Sequence, residues 1–147
     1  MNKVITISRQ FGSGGREFGI KLAHELKLPF YDKDLISMAA QNSNLSEEFM
    51  RHYEESAPGI FSRSLYSYYQ MPMTDQIYIA QSNLIKQLAA KGPCVIIGRC
   101  ADYALADNPN HLSIFIHAPM DVRIQRVAKR QNITPEKARS LIIKTDK

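Results

Sequence analysis

The sequence predicts an α/β protein built on a parallel sheet that is flanked by helices. Two short, continuous apolar runs, residues 94–97 and 112–117, are typical of strands that are buried on both faces of such a sheet. A third, β-branched run at residues 4–8 leads directly into a glycine-rich turn. Helical patterns lie between these strands, which indicates right-handed crossovers with helices on the faces of the sheet. We therefore expect a three-layer architecture.

The first elements are a strand, a turn and a helix. Residues 4–8 form the strand, and the helix after the turn carries apolar side chains at helical spacing. These side chains are Phe18, Leu22, Ala23 and Leu26. A short extended piece follows at residues 29–31, and Asp32 is placed to cap a further helix that runs to about residue 41.

The middle of the chain, residues 42–73, is its least regular part. Ser46 is placed to cap a helix there, and a segment rich in proline, glycine and tyrosine follows. A long amphipathic helix then begins at Thr74 and ends at Gly92 and Pro93. Its apolar face consists of Ile77, Ala80, Leu84, Leu88 and Ala89.

Two more helices follow the apolar strands. Pro119 suits the first turn of a helix over residues 120–131, and Thr134 with Pro135 opens a last helix. The pattern contains no repeats and no low-complexity segment.

The chain is expected to fold as one domain, residues 1–147. It has 147 residues, 44% of them apolar, and chains of this size bury about 70% of their unfolded surface. The net charge of +5 suits phosphorylated ligands, and nucleic acid less specifically. No run reaches the roughly 18 apolar residues of a membrane span, and the N-terminus lacks the apolar core of a secretion signal. We therefore expect a cytoplasmic protein without a membrane partner.

The two cysteines give no sign of a metal or redox centre. Cys94 and Cys100 are spaced neither as a CxxC pair nor as a zinc knuckle. We therefore predict no metal ligands for them.

The glycine-rich turn, ISRQFGSGGREFG at residues 7–19, is the clearest functional motif. A strand that runs through glycines into a helix directs backbone N–H groups and the positive end of the helix dipole at one place. Glycine also permits the left-handed backbone angles and the close approach that a bound phosphate needs. The turn is therefore a candidate phosphate loop, and a plain packing turn between strand and helix is the alternative.

The usual phosphate-loop pattern is GxxxxGK[ST], and this sequence only approximates it. If Gly14 stands at the second glycine, Gly15 occupies the lysine position and Arg16 the hydroxyl position. If Gly15 stands there, Arg16 replaces the lysine and Glu17 the hydroxyl. We prefer the second register because it keeps a cation beside the phosphates. Magnesium is then left to Ser13, Glu17 or water.

Arginines are the second group of candidate site residues. Arg99 comes directly after the strand at residues 94–97, at the sheet edge where ligands bind in open α/β sheets. Arg123, Arg126 and Arg130 are spaced i, i+3 and i+7, so they share one face of a helix. Such a stripe is often only a solvated face, but phosphoryl transfer needs cations that neutralise the equatorial oxygens.

Three segments together resemble the cytidylate kinase-like family of P-loop proteins. They are ISRQFGSGGRE at the start, LPFYDKDLI after the first helix, and AAKGPCVIIGRCADYAL around the strand at residues 94–97. The resemblance spans essentially the whole chain. It implies a P-loop NTPase-type sheet with a helical acceptor-binding insertion at about residues 42–73, and a kinase that uses ATP and Mg²⁺.

The resemblance also implies roles for single residues. The donor phosphates are expected on Gly12, Ser13, Gly14, Gly15, Arg16 and Glu17. Arg99 is expected to face the acceptor phosphate, with Asp32 and Asp102 near the acceptor pocket. Arg123 and Arg126 match arginines on the helix before the lid, and we count them with Arg16 and Arg99 as catalytic candidates.

The chain departs from the family pattern in three respects. The loop lysine is missing, and the acid of a GRD segment is replaced by Cys100, with Asp102 two positions later. In the resembling family a segment like TDK opens a mobile lid, and another strand and helix follow. We therefore expect the lid to begin near residue 145, and most of the lid and the C-terminal strand to be missing from this chain.

The leading hypothesis is a phosphotransferase of nucleoside monophosphate kinase type. It would move the γ-phosphoryl group of ATP to CMP or a related pyrimidine nucleotide, by positioning and charge stabilisation. The alternative is a non-catalytic nucleotide-binding or regulatory module that retains the phosphate loop but not turnover. Small-molecule nucleotides are the expected partners in both cases, since no nucleic-acid-binding motif is recognisable. The sequence does not indicate the oligomeric state.

Overall fold

The computed structural model describes residues 3–32 and 73–146. In these ranges four strands and five helices follow one another along the chain. The strands are β1 (Val4–Arg9), β2 (Phe30–Tyr31), β3 (Val95–Ile97) and β4 (His111–Ile116). The helices are α1 (Gly15–Leu26), α2 (Met73–Lys91), α3 (Ala101–Ala104), α4 (Met120–Gln131) and α5 (Pro135–Thr145).

The four strands form one parallel sheet in the order β2-β3-β1-β4. Strand β1 lies inside the sheet, with Ile5 opposite Val95 of β3 and Leu112 of β4. Because all strands run in the same direction, their carboxyl ends meet at one edge. The glycine loop and Arg99 both follow strands at that edge, as the sequence predicts.

Helices cover both faces of the sheet, which confirms the predicted layers. The face toward α1 consists of Ile5, Ile7, Val95 and Ile97, which pack with Ala23. The opposite face carries Val4 and Ile96, which pack with Leu84, Ile85 and Leu88 of α2. A third cluster of buried side chains joins α4 and α5 and reaches the loop after β1.

The inner face of α1 differs from the prediction. Its buried residues are Gly15, Gly19 and Ala23. Phe18 and Leu26, which we expected on this face, expose 41% and 40% of their surface. The reason is close packing at Gly19, where an added Cβ atom would lie 2.6 Å from the Cδ1 atom of Ile97. Small residues let α1 approach the sheet, and the larger apolar side chains lie beside the contact.

Strand β4 is less buried than its continuous apolar run suggests. Leu112 exposes 41% and Phe115 60% of its surface, whereas every residue of β3 is buried. The difference follows from position, because β3 lies between two strands and β4 lies at the end of the strand order. The expectation of a strand buried on both faces is confirmed for β3 and wrong for β4.

Most boundaries agree closely with the sequence. The four strands begin and end within one residue of the predicted limits. The hydroxyl of Thr134 caps α5 by accepting a hydrogen bond from the N–H of Lys137 at 3.4 Å, and Pro119 precedes α4. The short helix α3 was not predicted.

Other predictions fall outside the described residues. They are the helices expected after Asp32 and Ser46 and the acceptor-binding insertion at residues 42–73. Within the described ranges, no helix combines the length and the apolar character needed to cross a membrane.

Candidate active site

The loop between β1 and α1 has the backbone of an anion-binding turn. Gly12 and Gly14 adopt left-handed conformations, with φ angles of 79° and 86°. Helix α1 begins directly afterwards at Gly15, and Gly14 at its N-cap provides no side-chain hydrogen bond. Because the first N–H groups of a helix have no acceptor within it, this end of α1 favours a bound anion.

Ser13 and Glu17 lie on this loop and differ in burial. Ser13 exposes 8% of its surface, and its buried Oγ atom has no hydrogen-bond partner among the described residues. A buried hydroxyl without a partner is unfavourable, which fits a group that a ligand satisfies. Glu17 is exposed and lines the space beside the loop.

Helix α4 forms one wall of the loop. Val127 packs so closely on Gly12 that an added Cβ atom there would lie 2.8 Å from its Cγ2 atom. The guanidinium of Arg126 fills the space beside Gly14. Helix α4 therefore places a cation beside Gly14.

A cavity of about 410 Å³ opens between the loop and α4. Its lining residues are Gly12, Gly14, Glu17, Arg126, Lys129 and Arg130. Arg130 also lies over the ring of Phe11, 5.4 Å from its centroid, in a cation–π contact. Three basic side chains that face a glycine backbone form a site suited to a chain of phosphates.

Arg123 has a different environment from Arg126, although both lie on the same side of α4. Arg126 is exposed, whereas Arg123 exposes only 5% of its surface. The Nη1 atom of Arg123 donates to Asp146 Oδ2 at 2.5 Å and to the carbonyl oxygen of Phe11 at 3.3 Å. Its Nε atom is buried without a partner in the described part of the chain. Arg123 therefore braces the loop and is not among the residues that line the 410 Å³ cavity.

A second group of charges lies at the carboxyl ends of β1, β2 and β3. Asp32 follows β2 and is buried, and its Oδ2 atom accepts a hydrogen bond from Arg16 Nε at 2.7 Å. Arg9, the last residue of β1, packs its side-chain stem against Gly15 and places its guanidinium against Gly98. The group therefore reaches from the start of α1 to the end of β3.

The electrostatics of Arg9 show that these charges interact. Burial lowers the pKa of Arg9 from its usual value, Asp32 raises it, and Arg99 and Arg16 lower it. Arg9 therefore interacts electrostatically with Asp32, Arg99 and Arg16 at this edge of the sheet. A cluster of guanidinium groups at this edge suits an anionic ligand such as a phosphate monoester.

Arg99 is placed by a left-handed turn at the end of β3. Gly98, Arg99 and Cys100 have φ angles of 66°, 60° and 52°. For residues other than glycine this conformation costs about 1–2 kcal/mol each, so the surroundings must hold the turn in place. One such contact is the hydrogen bond from the Gly98 N–H to the Ile7 carbonyl oxygen, at 3.0 Å. Asp102 follows in the first turn of α3 and is half-buried.

The structure thus brings the predicted residues into two groups around the loop. The group beside α4 contains Gly12, Ser13, Gly14, Gly15, Glu17 and Arg126. The group at the other strand ends contains Arg16, Asp32 and Arg99. Arg16 is paired with Asp32 in this structure, and its assignment to the lysine position stays a prediction.

Three contributing residues were not predicted. Arg9 had a signal, because it ends a strand at the same sheet edge as Arg99. Lys129 also had one, since it lies three residues from Arg126 on the same helix. Asp146 had none, because its contact with Arg123 joins residues 23 positions apart through the packing of α4 on α5.

A second cavity, of about 540 Å³, adjoins the end of β1. Its lining residues are Arg9, Gln10, Phe11, Phe115, Thr145 and Asp146. Arg9 therefore connects the charge group around Asp32 with this cavity, and Asp146 forms part of the cavity wall.

Comparison with known proteins agrees with this geometry. A profile of the cytidylate kinase-like family matches residues 4–147, nearly the whole chain. The chain belongs to the cytidylate kinase-like family. This confirms the resemblance seen in the sequence. A cytidylate kinase from Methanopyrus kandleri is 28% identical, over 98% of this chain and 70% of that protein.

Solved structures show the same fold. An uncharacterized protein from Eubacterium ventriosum is 30% identical and superposes with a TM-score of 0.70, over 98% of this chain and 71% of that one. A gluconokinase from Sinorhizobium meliloti is 17% identical with a TM-score of 0.58, over 99% of this chain and 75% of that one. A shikimate kinase from Bacteroides thetaiotaomicron is 16% identical with a TM-score of 0.58, over 98% and 76% of the two chains. The likeness to these two kinases shows the fold alone, and it confirms the predicted P-loop kinase-type sheet.

Proposed function

We propose that the protein is a nucleoside monophosphate kinase-type phosphotransferase that moves the γ-phosphoryl group of ATP to CMP or a related pyrimidine nucleotide. The observation that carries this proposal is the presence of two cationic groups at one sheet edge. Arg126 lies beside the glycine loop, and a second group contains Arg16 paired with Asp32 together with Arg9, which interacts with Asp32 and Arg99. Transfer between two phosphates needs one such group for each. The family and its similarity to a cytidylate kinase support the choice of CMP.

The donor would lie in the 410 Å³ cavity, with its phosphates on the loop. Backbone N–H groups of residues 12–17 and the guanidinium of Arg126 would bind the phosphate oxygens. Glycine is needed at positions 12 and 14 for this arrangement, because a Cβ atom on either residue would collide with side chains of α4. Without side chains at these positions, α4 can lie close to the loop backbone.

The loop also fits the Mg²⁺ ion that accompanies ATP. The described residues contain no group of three or more metal-binding side chains, so the ion would bind mainly to phosphate oxygens and water. Ser13 offers a buried hydroxyl without a described partner, and Glu17 offers an exposed carboxylate. When bound, the ion neutralises charge on the phosphates.

The acceptor phosphate would face Arg99, with Arg9 beside it, and an ionised phosphate needs no base to activate it. Arg16, at the start of α1, would lie between this group and the donor phosphates on the loop. We propose Asp32 as the residue that orients Arg16, and Asp102 as a further residue near the acceptor. In this proposal residues 42–73 complete the acceptor pocket within one domain, and the lid begins near residue 145.

Catalysis would then consist of positioning and charge stabilisation. An arginine that contacts the transferred phosphoryl group is worth about 10³–10⁵ in rate in P-loop enzymes. Arg126 suits this role best, because it is exposed and lies beside Gly14. Arg123 and Arg16 are each bound to a carboxylate, so we assign them to positioning.

The direct test is to incubate the full chain with MgATP and a panel of monophosphates, and to measure diphosphate products by anion-exchange chromatography. We expect CDP to form faster than the other diphosphates. Arg126→Ala should lower kcat at least about a hundredfold. Arg139→Ala is the matched control, since Arg139 is an exposed arginine of α5 outside both cavities. Equal loss in the two variants would refute the role of Arg126.

A non-catalytic nucleotide-binding module is the second candidate. The pairing of Arg16 with Asp32 favours it, because it draws the cation expected at the lysine position toward a carboxylate. Stoichiometric ATP binding in calorimetry without any diphosphate product would support the module. Absence of ATP binding by the well-folded chain would refute both candidates.

A further inference from the structure

We infer that Asp146, at the end of α5, is a positioning residue that holds the phosphate loop in its anion-binding shape through Arg123. The effect on nucleotide binding rests on the proposed function. The effect on the loop itself does not.

One nitrogen atom of Arg123 has two hydrogen-bond partners. Nη1 of Arg123 donates to Asp146 Oδ2 at 2.5 Å and to the Phe11 carbonyl oxygen at 3.3 Å. Phe11 directly precedes Gly12, the first left-handed residue of the loop. A single guanidinium therefore ties the end of α5 to the start of the loop.

Burial makes Arg123 dependent on its carboxylate. Arg123 exposes 5% of its surface, and a buried charge that loses its partner is strongly unfavourable. Its Nε atom is already buried without a partner among the described residues. Removal of the Asp146 charge should therefore drive the guanidinium toward water, away from the Phe11 carbonyl oxygen.

The loop would respond because α4 touches it at the same point. An added Cβ atom on Gly12 would lie 3.2 Å from the Arg123 carbonyl oxygen and 3.4 Å from its Cβ atom. Gly12 and Gly14, the two left-handed residues of the loop, therefore pack against α4, and the hydrogen bonds of Arg123 help to fix the position of α4. Movement of Arg123 should therefore loosen the turn of the loop, in which the Ser13 N–H donates to the Gln10 carbonyl oxygen at 3.2 Å.

The new side chain of an Asp146→Asn variant would not itself be a buried polar group without a partner. Its side chain exposes 29% of its surface and lines the 540 Å³ cavity, so an amide in its place can be hydrated. The same exposure means that Asp146 could contact a ligand directly. The test must separate these two roles.

Amide hydrogen exchange of the unliganded full chain measures the loop directly. The Ser13 N–H donates to the Gln10 carbonyl oxygen at 3.2 Å, and we expect Asp146→Asn to speed its exchange by about tenfold or more, while the β1 and β3 amides keep their protection. Asp146→Glu keeps the charge and should restore most of the protection. Glu136→Gln is the matched control, because Glu136 is an exposed acid in the first turn of α5, and it should change nothing. In calorimetry, Asp146→Asn should also weaken MgATP binding by about tenfold.

Two results would overturn the inference. The first is unchanged loop exchange in Asp146→Asn; if MgATP binding is weaker at the same time, Asp146 contacts the ligand directly. The second is faster exchange of the whole sheet, which would show a purely structural role. Failure of the proposed function would instead appear as absent MgATP binding by the wild type, with the loop comparison intact.

A second variant covers the case in which Asp146→Asn does not fold. The double change Arg123→Met with Asp146→Leu removes both charges, which proteins often tolerate well. The Phe11 carbonyl oxygen loses its donor in this variant, so loop exchange should again be fast. A protected loop in the double variant would overturn the inference.

Discussion

Replacing Gly12 by alanine should damage the phosphate loop beyond its effect on backbone conformation. Gly12 has a φ angle of 79°, and an added Cβ atom would lie 2.8 Å from Val127 Cγ2 and 3.2 Å from the Arg123 carbonyl oxygen. The left-handed conformation costs an alanine about 1–3 kcal/mol. Overpacking against α4 adds about 1–3 kcal/mol. The free energy of unfolding should therefore fall by about 2–6 kcal/mol in total.

Gly92 provides the matched control. It has a φ angle of 149°, and nothing lies within 4 Å of an added Cβ atom. Gly92→Ala therefore carries a conformational cost in the same range of about 1–3 kcal/mol, without the packing cost. The packing cost of about 1–3 kcal/mol should lower the Tm of Gly12→Ala by a further amount of about 3–9 °C for a chain of this size.

Thermal melts followed by circular dichroism give the two Tm values, and calorimetry gives the Kd for MgATP. We expect Gly12→Ala to melt below Gly92→Ala and to lose at least about tenfold in MgATP affinity. Gly92→Ala should bind MgATP like the wild type, since Gly92 lies at the far end of α2 from the loop. Equal Tm values together with equal affinities would refute the packing of α4 on the loop.

Three further predictions concern single side chains. Arg16→Ala should weaken MgATP binding by more than about tenfold, while Lys21→Ala on the exposed side of α1 should not; equal Kd values in calorimetry would reject the assignment of Arg16 to the lysine position. Arg9→Met should raise the acceptor KM by about tenfold or more in steady-state kinetics, with the Kd for MgATP unchanged; a normal KM would remove Arg9 from the acceptor site. Burial raises the pKa of Cys94 from 9.0 to about 11, so a thiol reagent at pH 8 should label exposed Cys100 rapidly and Cys94 only on unfolding. Because the unfolded chain then loses the Cys94 proton first, the free energy of unfolding should fall as the pH rises from 9.0 to about 11, and a rise would contradict this.

The layers of the fold could be predicted because strands and helices differ in the spacing of their apolar residues. The wrong predictions have one cause: the spacing of apolar residues does not show how closely a helix or strand packs against its neighbours. Phe18 fits the apolar spacing of α1, yet Gly19 brings the helix so close to Ile97 that the contact has no room for a phenyl ring. Phe115 fits a buried strand, yet the strand order leaves it 60% exposed.

The candidate site was predictable to a similar extent. Helical spacing correctly placed Arg123, Arg126 and Arg130 on one side of α4, and in the structure this side meets the loop. It could not distinguish the buried Arg123 from the exposed Arg126, because the difference depends on Asp146. That partner comes from the far end of the next helix, and only tertiary packing brings it there.

In the register that places Gly15 at the lysine position, the missing loop lysine has a physical explanation. An added Cβ atom on Gly15 would lie 2.5 Å from the Cβ atom and 2.9 Å from the Cγ atom of Arg9, close to the backbone of β1 where little can shift. Any side chain at this position would therefore displace the stem that carries the Arg9 guanidinium to Gly98. With Arg9 at the end of β1, glycine is required at position 15 in either register of the loop. In that register the positive charge of a lysine must come from neighbouring side chains, and Arg126 lies beside Gly14. In the preferred register Arg16 itself occupies the lysine position.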